Sequence, residues 1–97
     1  MEMTFGKAHD IWGRAVRGDE TLSEDEVKAA AQWFDKFLGT LSDKASQSQQ
    51  ALDDAIEQHE DDAAIEEKSK AAESDKRQLE DFISKHDDLI DWLNKQN

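Results

Sequence analysis

The apolar residues between Val27 and Leu41 recur at intervals of three and four residues. They are Val27, Ala30, Ala31, Phe34, Phe37, Leu38 and Leu41. This spacing gathers side chains on one face of an α-helix, because a helix completes one turn in about 3.6 residues. We therefore predict that this segment is the central core helix and that the rest of the chain packs against its apolar face.

The sequence carries signals for both ends of this core helix. Ser23 followed by Glu26 has the pattern of a capping box, which satisfies free backbone N–H groups in the first helical turn. Gly39 predicts the end of the helix, since glycine readily adopts the left-handed conformation that terminates helices. Residues 40–43 are then expected to form a short connector, with Ser42 capping the next helix.

An earlier helix is predicted over about residues 3–17. Its apolar face comprises Phe5, Ala8, Ile11, Trp12, Ala15 and Val16. Gly18 comes directly after this pattern and is well placed to stop the helix. Arg14 and Arg17 are expected in the last turn, where positive charge complements the helix dipole.

Residues 43–97 contain neither glycine nor proline. Two heptad-like seams occur in the second half of the chain: Leu41, Ala45, Ser48, Leu52, Ala55, Ile56 and His59, then Ala72, Leu79, Phe82, Ile83, His86, Leu89, Ile90 and Leu93. The two seams are out of phase. Counting forward from Leu52 in steps of seven residues reaches Glu66, whereas counting back from Leu79 in steps of seven residues reaches Ile65. This phase slip predicts a helical hairpin with its turn around residues 60–75.

Together these patterns predict an all-α fold, a small helical bundle of about four helices with a long C-terminal helical hairpin. A chain of 97 residues has the length of one domain, so we expect a single acidic helical domain over residues 1–97. The open end of the hairpin is expected to pack on the core helix and its tip to extend into solvent.

The charge of the chain is strongly negative and unevenly distributed. Twelve Lys and Arg face 24 Asp and Glu, and residues 41–97 hold sixteen of these acids. A surface of this sign repels nucleic acid and anionic membranes and attracts basic partners. The charge therefore points to a partner with a basic surface and excludes direct binding of nucleic acid.

Carboxylates recur along the predicted hairpin on nearly every exposed turn. The candidate partner-binding residues are Asp53, Asp54, Glu57, Glu60, Asp61, Asp62, Glu66, Glu67, Glu73, Asp75, Glu80 and Asp81. A hairpin with ~28 residues per arm is ~42 Å long. The sixteen acids of residues 41–97 then give one negative charge per ~2.6 Å, against one phosphate per ~1.7 Å in duplex DNA. Two interpretations follow: a nucleic-acid mimic, or a charged face that keeps a small helical protein soluble.

The sequence lacks the residue patterns of several kinds of reactive site. Without cysteine, it has no disulfide, thiol nucleophile or cysteine-based zinc site. His9, His59 and His86 lack the spacing of metal-binding motifs. His59 and His86 fall on the seams, where an interior or partly buried packing role is expected. We expect no metal, no cofactor and no catalytic residue, and therefore not an enzyme.

No stretch of the sequence approaches the ~18 apolar residues that a membrane span requires, and the N-terminal residues lack a secretory signal pattern. The expectation is a cytoplasmic protein without a membrane partner.

The first functional hypothesis is a non-enzymatic inhibitor or regulator that binds the basic surface of a nucleic-acid-handling protein. In size, charge and helicity the chain resembles the small acidic helical decoys that phages and plasmids use against restriction or CRISPR systems. That resemblance implies a nucleic-acid mimic of anti-restriction or anti-CRISPR type and transfers no individual residue.

The alternative hypothesis is a coiled-coil adaptor or assembly protein. It would form a homodimer or bind a partner helix through its apolar seam. The seam residues that it would use are Leu79, Phe82, Ile83, Leu89, Ile90 and Leu93.

Overall fold

The structure is a computed structural model that describes residues 2–96. Within this range the chain forms three α-helices and no β-strand: α1 spans Phe5–Val16, α2 spans Glu24–Glu57 and α3 spans Asp62–Lys95. The predicted all-α class is confirmed. The expected number of about four helices is corrected to three, because α2 continues past the position where its end was predicted.

The described residues form two compact units. Unit 1 contains α1, the part of α2 up to Phe37 and the part of α3 from Phe82 onward. Unit 2 is the stretch Leu38–Asp81, which contains the end of α2, the following turn and the start of α3.

A side chain caps the N-terminus of α1, and backbone hydrogen bonds cap its C-terminus. At its start, the backbone N–H of Lys7 donates to the Thr4 hydroxyl at 3.3 Å. At its end, Gly18 has a φ of 77°, and the N–H groups of Gly18 and Asp19 donate to the carbonyls of Ala15 and Arg14 at 3.2 and 3.0 Å. These two bonds define a Schellman motif, so the prediction that Gly18 ends the first helix is confirmed.

An ion-pair network surrounds Arg14 at the junction between α1 and α2. Its guanidinium donates to the Asp19 carboxylate at 2.9 Å and to the Thr21 hydroxyl at 2.9 Å. The pKa of Asp19 lies well below its ordinary value, first because the Thr21 hydroxyl donates to the carboxylate, and then because Arg14 and the Thr21 N–H also donate to it. These hydrogen bonds link Arg14 at the end of α1 to Asp19 and Thr21 in the connection to α2.

The predicted cap of α2 is present, because the Glu26 N–H donates to the Ser23 hydroxyl at 3.2 Å. The Glu26 carboxylate lies 3.9 Å from the Arg14 guanidinium and so contributes to the network around Arg14. Leu22 and Val27, on either side of this cap, are both buried.

Apolar side chains from all three helices form the core of unit 1. Its buried residues are Ala8, Ile11, Ala15, Leu22, Val27, Ala30, Ala31, Phe34, Phe82 and Leu89. Phe34 is 0 % exposed, and the centre of its ring lies 5.3 Å from that of Phe82 and 5.1 Å from that of Trp33. The prediction of a core helix around Val27 and Phe34 is therefore confirmed.

α1 and α3 also meet through polar groups. The Trp12 indole N–H donates to the Asp88 carboxylate at 3.0 Å, and the Lys85 ammonium lies 5.0 Å from the centre of the Trp12 ring. A cation above an indole ring is attracted to its negative face. These contacts fix the end of α3 against α1 within unit 1.

The predicted end of α2 at Gly39 and the connector over residues 40–43 are wrong. The helix continues through both, and Ser42 lies inside it. A glycine inside a helix costs only about 1 kcal/mol relative to alanine, and the buried Leu41 continues the apolar face beyond it. Burial of that face thus outweighs the helix-breaking preference of Gly39.

Unit 2 is a helical hairpin whose turn consists of residues 58–61, which corrects the predicted position around residues 60–75. His59 has a φ of 56°, and the N–H groups of His59 and Glu60 donate to the carbonyls of Ile56 and Ala55 at 3.2 and 3.0 Å. This is a second Schellman motif, with histidine in the place where glycine is usual. The sequence signal for this turn was therefore weak.

The prediction that His59 packs in the interior is wrong, because its side chain is exposed in the turn. His86 is half-buried in α3. Asp61 caps α3, since its carboxylate accepts from the Ala64 N–H at 2.8 Å.

Packing between the two helices of unit 2 relies on small side chains and polar links. Its buried residues are Leu41, Ala55 and Ala72. The Ser48 hydroxyl on α2 donates to the Asp75 carboxylate on α3, and the Lys44 ammonium lies 3.5 Å from the same carboxylate. These contacts place the two helices side by side and antiparallel.

Candidate partner-binding surface

All twelve predicted partner-binding acids lie in unit 2. Asp53, Asp54 and Glu57 lie on α2, Glu60 and Asp61 in the turn, and Asp62, Glu66, Glu67, Glu73, Asp75, Glu80 and Asp81 on α3. Ten of them are exposed, whereas Glu60 and Asp75 are half-buried. Unit 2 has thirteen Asp and Glu against five Lys and Arg, which gives this hairpin most of the chain's net negative charge.

The acids of α2 occupy its outer face. At ~100° per residue, Asp53, Asp54 and Glu57 fall within an arc of ~100°. The residues that face α3, including Leu52 and Ala55, lie on the opposite side of the helix. The helix therefore directs its apolar residues inward and its carboxylates into solvent.

Asp43 shares this outer face but was not among the predicted residues. It lies ten residues before Asp53 and is exposed. On an ideal helix it projects within the same ~100° arc as Asp53 and Asp54. The sequence pattern predicts a connector at Asp43, and only the continuity of α2 through Gly39 brings this residue onto the acidic face.

The acids nearest the turn form the densest group, which we call the turn-end acids. They are Asp53, Asp54, Glu57, Glu60, Asp61, Asp62, Glu66 and Glu67. Residues 45–67 include no Lys or Arg, and the next cation is Lys68. Its ammonium lies 2.9 Å from the Glu60 carboxylate, so one of the eight acids is paired with it.

Folding raises the linear charge density at this end of the hairpin. The turn-end acids on the two antiparallel helices lie over ~10 Å of hairpin length, counted at ~1.5 Å per residue. This gives one carboxylate per ~1.3 Å, compared with one phosphate per ~1.7 Å in duplex DNA. The local density thus reaches that of DNA, which the average over the whole hairpin does not.

Cations on the same helix face offset some acids of α3, including Glu66 among the turn-end acids. The Lys70 ammonium lies 3.4 Å from Glu66, and the Arg77 guanidinium lies 2.6 Å from Glu73. Both pairs are exposed and four residues apart, so each contributes only ~0.5 kcal/mol to stability, but each reduces the net charge of the face. The negative potential is therefore concentrated at the turn and along α2.

Asp75 belongs to the interior of the hairpin rather than to its surface. Its side chain is 14 % exposed, accepts a hydrogen bond from the Ser48 hydroxyl and lies beside Lys44. A carboxylate already satisfied by two groups is a poor contact for a partner. We assign Asp75 to the packing of the two helices and leave it out of the proposed surface.

An apolar side chain accompanies the turn-end acids. Ile56 was predicted to lie on the seam, yet it is 51 % exposed and neighbours Glu57 on the flank of the acidic face. An apolar group within a charged surface gives a partner a site for desolvated contact. The sequence signal was ambiguous here, because Ala55 and Ile56 both fit the seam and only Ala55 is buried.

Among residues 2–96, no group of three or more His, Asp or Glu side chains is arranged to hold a metal ion. In the same part of the chain, none of the three helices combines the length and the apolar character needed to cross a bilayer.

Comparison with protein-family models, curated proteins and solved structures gave no significant match.

Proposed function

We propose that this chain is a non-enzymatic inhibitor or regulator that binds the basic surface of a nucleic-acid-handling protein. The observation that carries the proposal is the density of the turn-end acids, eight carboxylates without Lys or Arg over residues 45–67. A protein surface that binds phosphates presents Lys and Arg at a density matched to a nucleic acid. A hairpin end of similar linear charge density competes for the same cations.

The fold of unit 2 supports this role, because it presents carboxylates at low entropic cost. Asp53 and Asp54 project from a continuous helix, where Gln49 and Gln50 amides donate to them at 3.0 Å. These hydrogen bonds restrict the rotation of the two carboxylates, and preorganised groups lose less freedom on binding. The short four-residue turn fixes the second helix beside the first.

The mode of action in this proposal is exclusion of DNA or RNA from the partner's groove, as in anti-restriction or anti-CRISPR decoys of phages. The chain would act in the cytoplasm, where such partners handle nucleic acid. Long-range attraction speeds the encounter and weakens as salt rises, because counterions screen exposed charges.

The test compares two variants with the same change in net charge. The turn variant carries Asp53→Asn, Asp54→Asn and Glu57→Gln, and the control variant carries Glu2→Gln, Glu20→Gln and Asp91→Asn in unit 1. All six side chains are exposed. Each tagged protein captures partners from a nuclease-treated bacterial lysate, and bound proteins are eluted with rising salt or with duplex DNA.

We expect the wild type and the control variant to retain a DNA- or RNA-binding protein that duplex DNA displaces. The turn variant should bind it about tenfold more weakly, because three exposed charge contacts at ~0.5 kcal/mol each amount to ~1.5 kcal/mol. Equal loss in both variants would show that only net charge matters. A partner that DNA does not displace would contradict the decoy mechanism.

The adaptor hypothesis receives support only in a narrower form. Phe82 and Leu89 of the predicted seam are buried within the chain, so they are already used by its own core. Ile83 and Ile90 are exposed on α3.

A further inference from the structure

The turn end of the hairpin in unit 2 has very little apolar packing. Over residues 42–71, which include the turn and the helix ends on both sides of it, only Ala55 is buried. Burial of an alanine contributes little to stability, because its side chain is a single methyl group. Unit 1, by contrast, completely buries Val27, Phe34 and Leu89. Few apolar contacts therefore hold the turn end of the hairpin closed.

The charges at the end of α2 oppose the dipole of the helix. The carbonyl end of a helix carries a partial negative charge, which cations stabilise and anions destabilise. The last turn of α2 contains no Lys or Arg, and Glu57 is its final residue. Asp53 and Asp54 lie four and three residues before Glu57, a spacing at which like charges on a helix repel. The amides of Gln49 and Gln50 donate to these two aspartates, but a neutral donor leaves the negative charge in place.

The acids on the other side of the turn have the opposite effect on helix stability. Asp62 is the first residue of α3, and the Asp61 carboxylate accepts from the Ala64 N–H at 2.8 Å. Negative charge stabilises the N-terminus of a helix, where the backbone N–H groups are free. Two neighbouring groups of carboxylates therefore act in opposite directions on the stability of the same hairpin.

The turn between these two groups adds a conformational cost. His59 has a φ of 56°, a left-handed conformation that is unfavourable for a residue with a Cβ. The nearest cation after the turn, Lys68, lies 2.9 Å from the Glu60 carboxylate and is thus already paired. Backbone hydrogen bonds, such as that from the Gln58 N–H to the Asp54 carbonyl at 2.9 Å, hold the end of α2 against these costs.

We propose that the end of α2 and the turn open and close locally while unit 1 stays folded, and that cations bound beside Asp53, Asp54 and Glu57 close them. Local opening is a property of segments with few buried contacts. A cation at the end of α2 offsets the repulsion among the three carboxylates and complements the helix dipole, so it favours the closed state. This inference does not rest on the proposed function, because any polycation has the same effect.

Amide hydrogen exchange of the ¹⁵N-labelled full chain, followed by NMR, tests the proposal. The reporters are the amides of Gln58 and Glu60, which donate to the carbonyls of Asp54 and Ala55. The amide of Phe34 in unit 1 is the internal reference. Exchange is measured from ~0.01 M to ~1 M NaCl, over which the screening length falls from ~30 Å to ~3 Å. A second series at low salt adds a hexalysine peptide.

We expect the two reporter amides to exchange faster than the Phe34 amide at low salt. High salt or hexalysine should slow their exchange about threefold to tenfold and leave Phe34 nearly unchanged. Loss of negative charge by itself speeds hydroxide-catalysed exchange, so slower exchange reports a closed hairpin.

Two exposed acids on opposite sides of the turn provide a matched pair of variants with the same change in charge. Glu57→Gln should slow the exchange of the reporter amides about threefold to tenfold at low salt and should reduce the response to hexalysine, because it removes the charge that opposes the dipole of α2. Asp62→Asn is the control and should leave the exchange unchanged or make it faster, because it removes a charge that stabilises the start of α3.

Three results would overturn the proposal. Exchange of Gln58 and Glu60 as slow as that of Phe34 at low salt would show that the hairpin opens only when the whole chain unfolds. Equal slowing by Glu57→Gln and Asp62→Asn would show that net charge, and not position on the helix, governs the opening. Hexalysine that shifts the turn resonances without slowing exchange would contradict closing by cations. Failure to capture a nucleic-acid-handling protein would instead overturn the proposed function and leave this exchange pattern intact.

Discussion

Substituting two glycines by alanine gives a direct test of the continuous helix α2. An added Cβ at either Gly39 or Gly18 meets no atom within 4 Å, so neither substitution causes a steric clash. The two positions differ in backbone conformation, since Gly39 lies inside α2 and Gly18 has a φ of 77°. The pair therefore isolates backbone preference from packing.

The expected changes have opposite signs. Gly39→Ala should stabilise the fold by about 1 kcal/mol, the difference in helix propensity between the two residues. Gly18→Ala should destabilise it by about 1 kcal/mol, because left-handed strain of ~1–2 kcal/mol exceeds the entropy lost from the unfolded chain, ~0.4–1 kcal/mol. For a chain of 97 residues, each change corresponds to a shift of about 5 °C in Tm.

The assay is thermal and urea unfolding followed by far-ultraviolet circular dichroism, with both variants and the wild type measured side by side. The free energies of unfolding of the two variants should differ by about 2 kcal/mol. If Gly39→Ala destabilised the protein as much as Gly18→Ala, then Gly39 would terminate a helix. In that case α2 would be two helices, and Asp43 would not share a face with Asp53.

Three further predictions concern the second turn, the network around Arg14 and the core. His59→Gly should raise the free energy of unfolding by about 0.5–1 kcal/mol, since it relieves left-handed strain; His59→Ala keeps that strain and should give no such gain in urea unfolding. The pKa of Asp19 is lowered in the folded state, so its contribution to stability is complete above the unfolded pKa of about 4 and is lost as pH falls toward the lower folded value. The stability difference between wild type and Asp19→Ala should thus be constant near neutral pH and shrink below about pH 4 in urea titrations; a difference that grows on acidification would contradict this assignment. Phe34→Ala should cost about 3–5 kcal/mol, and a loss below about 1 kcal/mol would show that Phe34 is not in the core.

The amino-acid sequence was enough to predict the helical class, the core around Phe34 and the helix end at Gly18. Each follows from local chemistry. Apolar residues at helical spacing lie on one face of a helix, and that face is buried against the core. Glycine at the end of such a pattern adopts the left-handed conformation without strain. The acidic character of the hairpin also follows from the sequence. Charge is a property of composition and does not require a fold.

Tertiary structure decided the points at which local preference and packing disagree. Gly39 favours a helix end, but burial of Leu41 and the residues beyond it extends α2. His59 disfavours a left-handed turn, but pairing of the two helices of unit 2 requires a reversal there, and the Schellman bonds to Ala55 and Ile56 stabilise it. These preferences amount to ~1 kcal/mol each, less than the burial of an apolar helix face contributes.

Sequence and tertiary structure also decide different features of the candidate partner-binding surface. Sequence identified the acids, whereas the position of the turn determined which of them lie together, because it brings Asp53 and Glu67 to the same end of the hairpin. Only the packed structure separates Asp75, which accepts from Ser48, from its exposed neighbours. The density of a charged surface depends on distances between helices, and those distances arise from packing rather than from the order of residues along the chain.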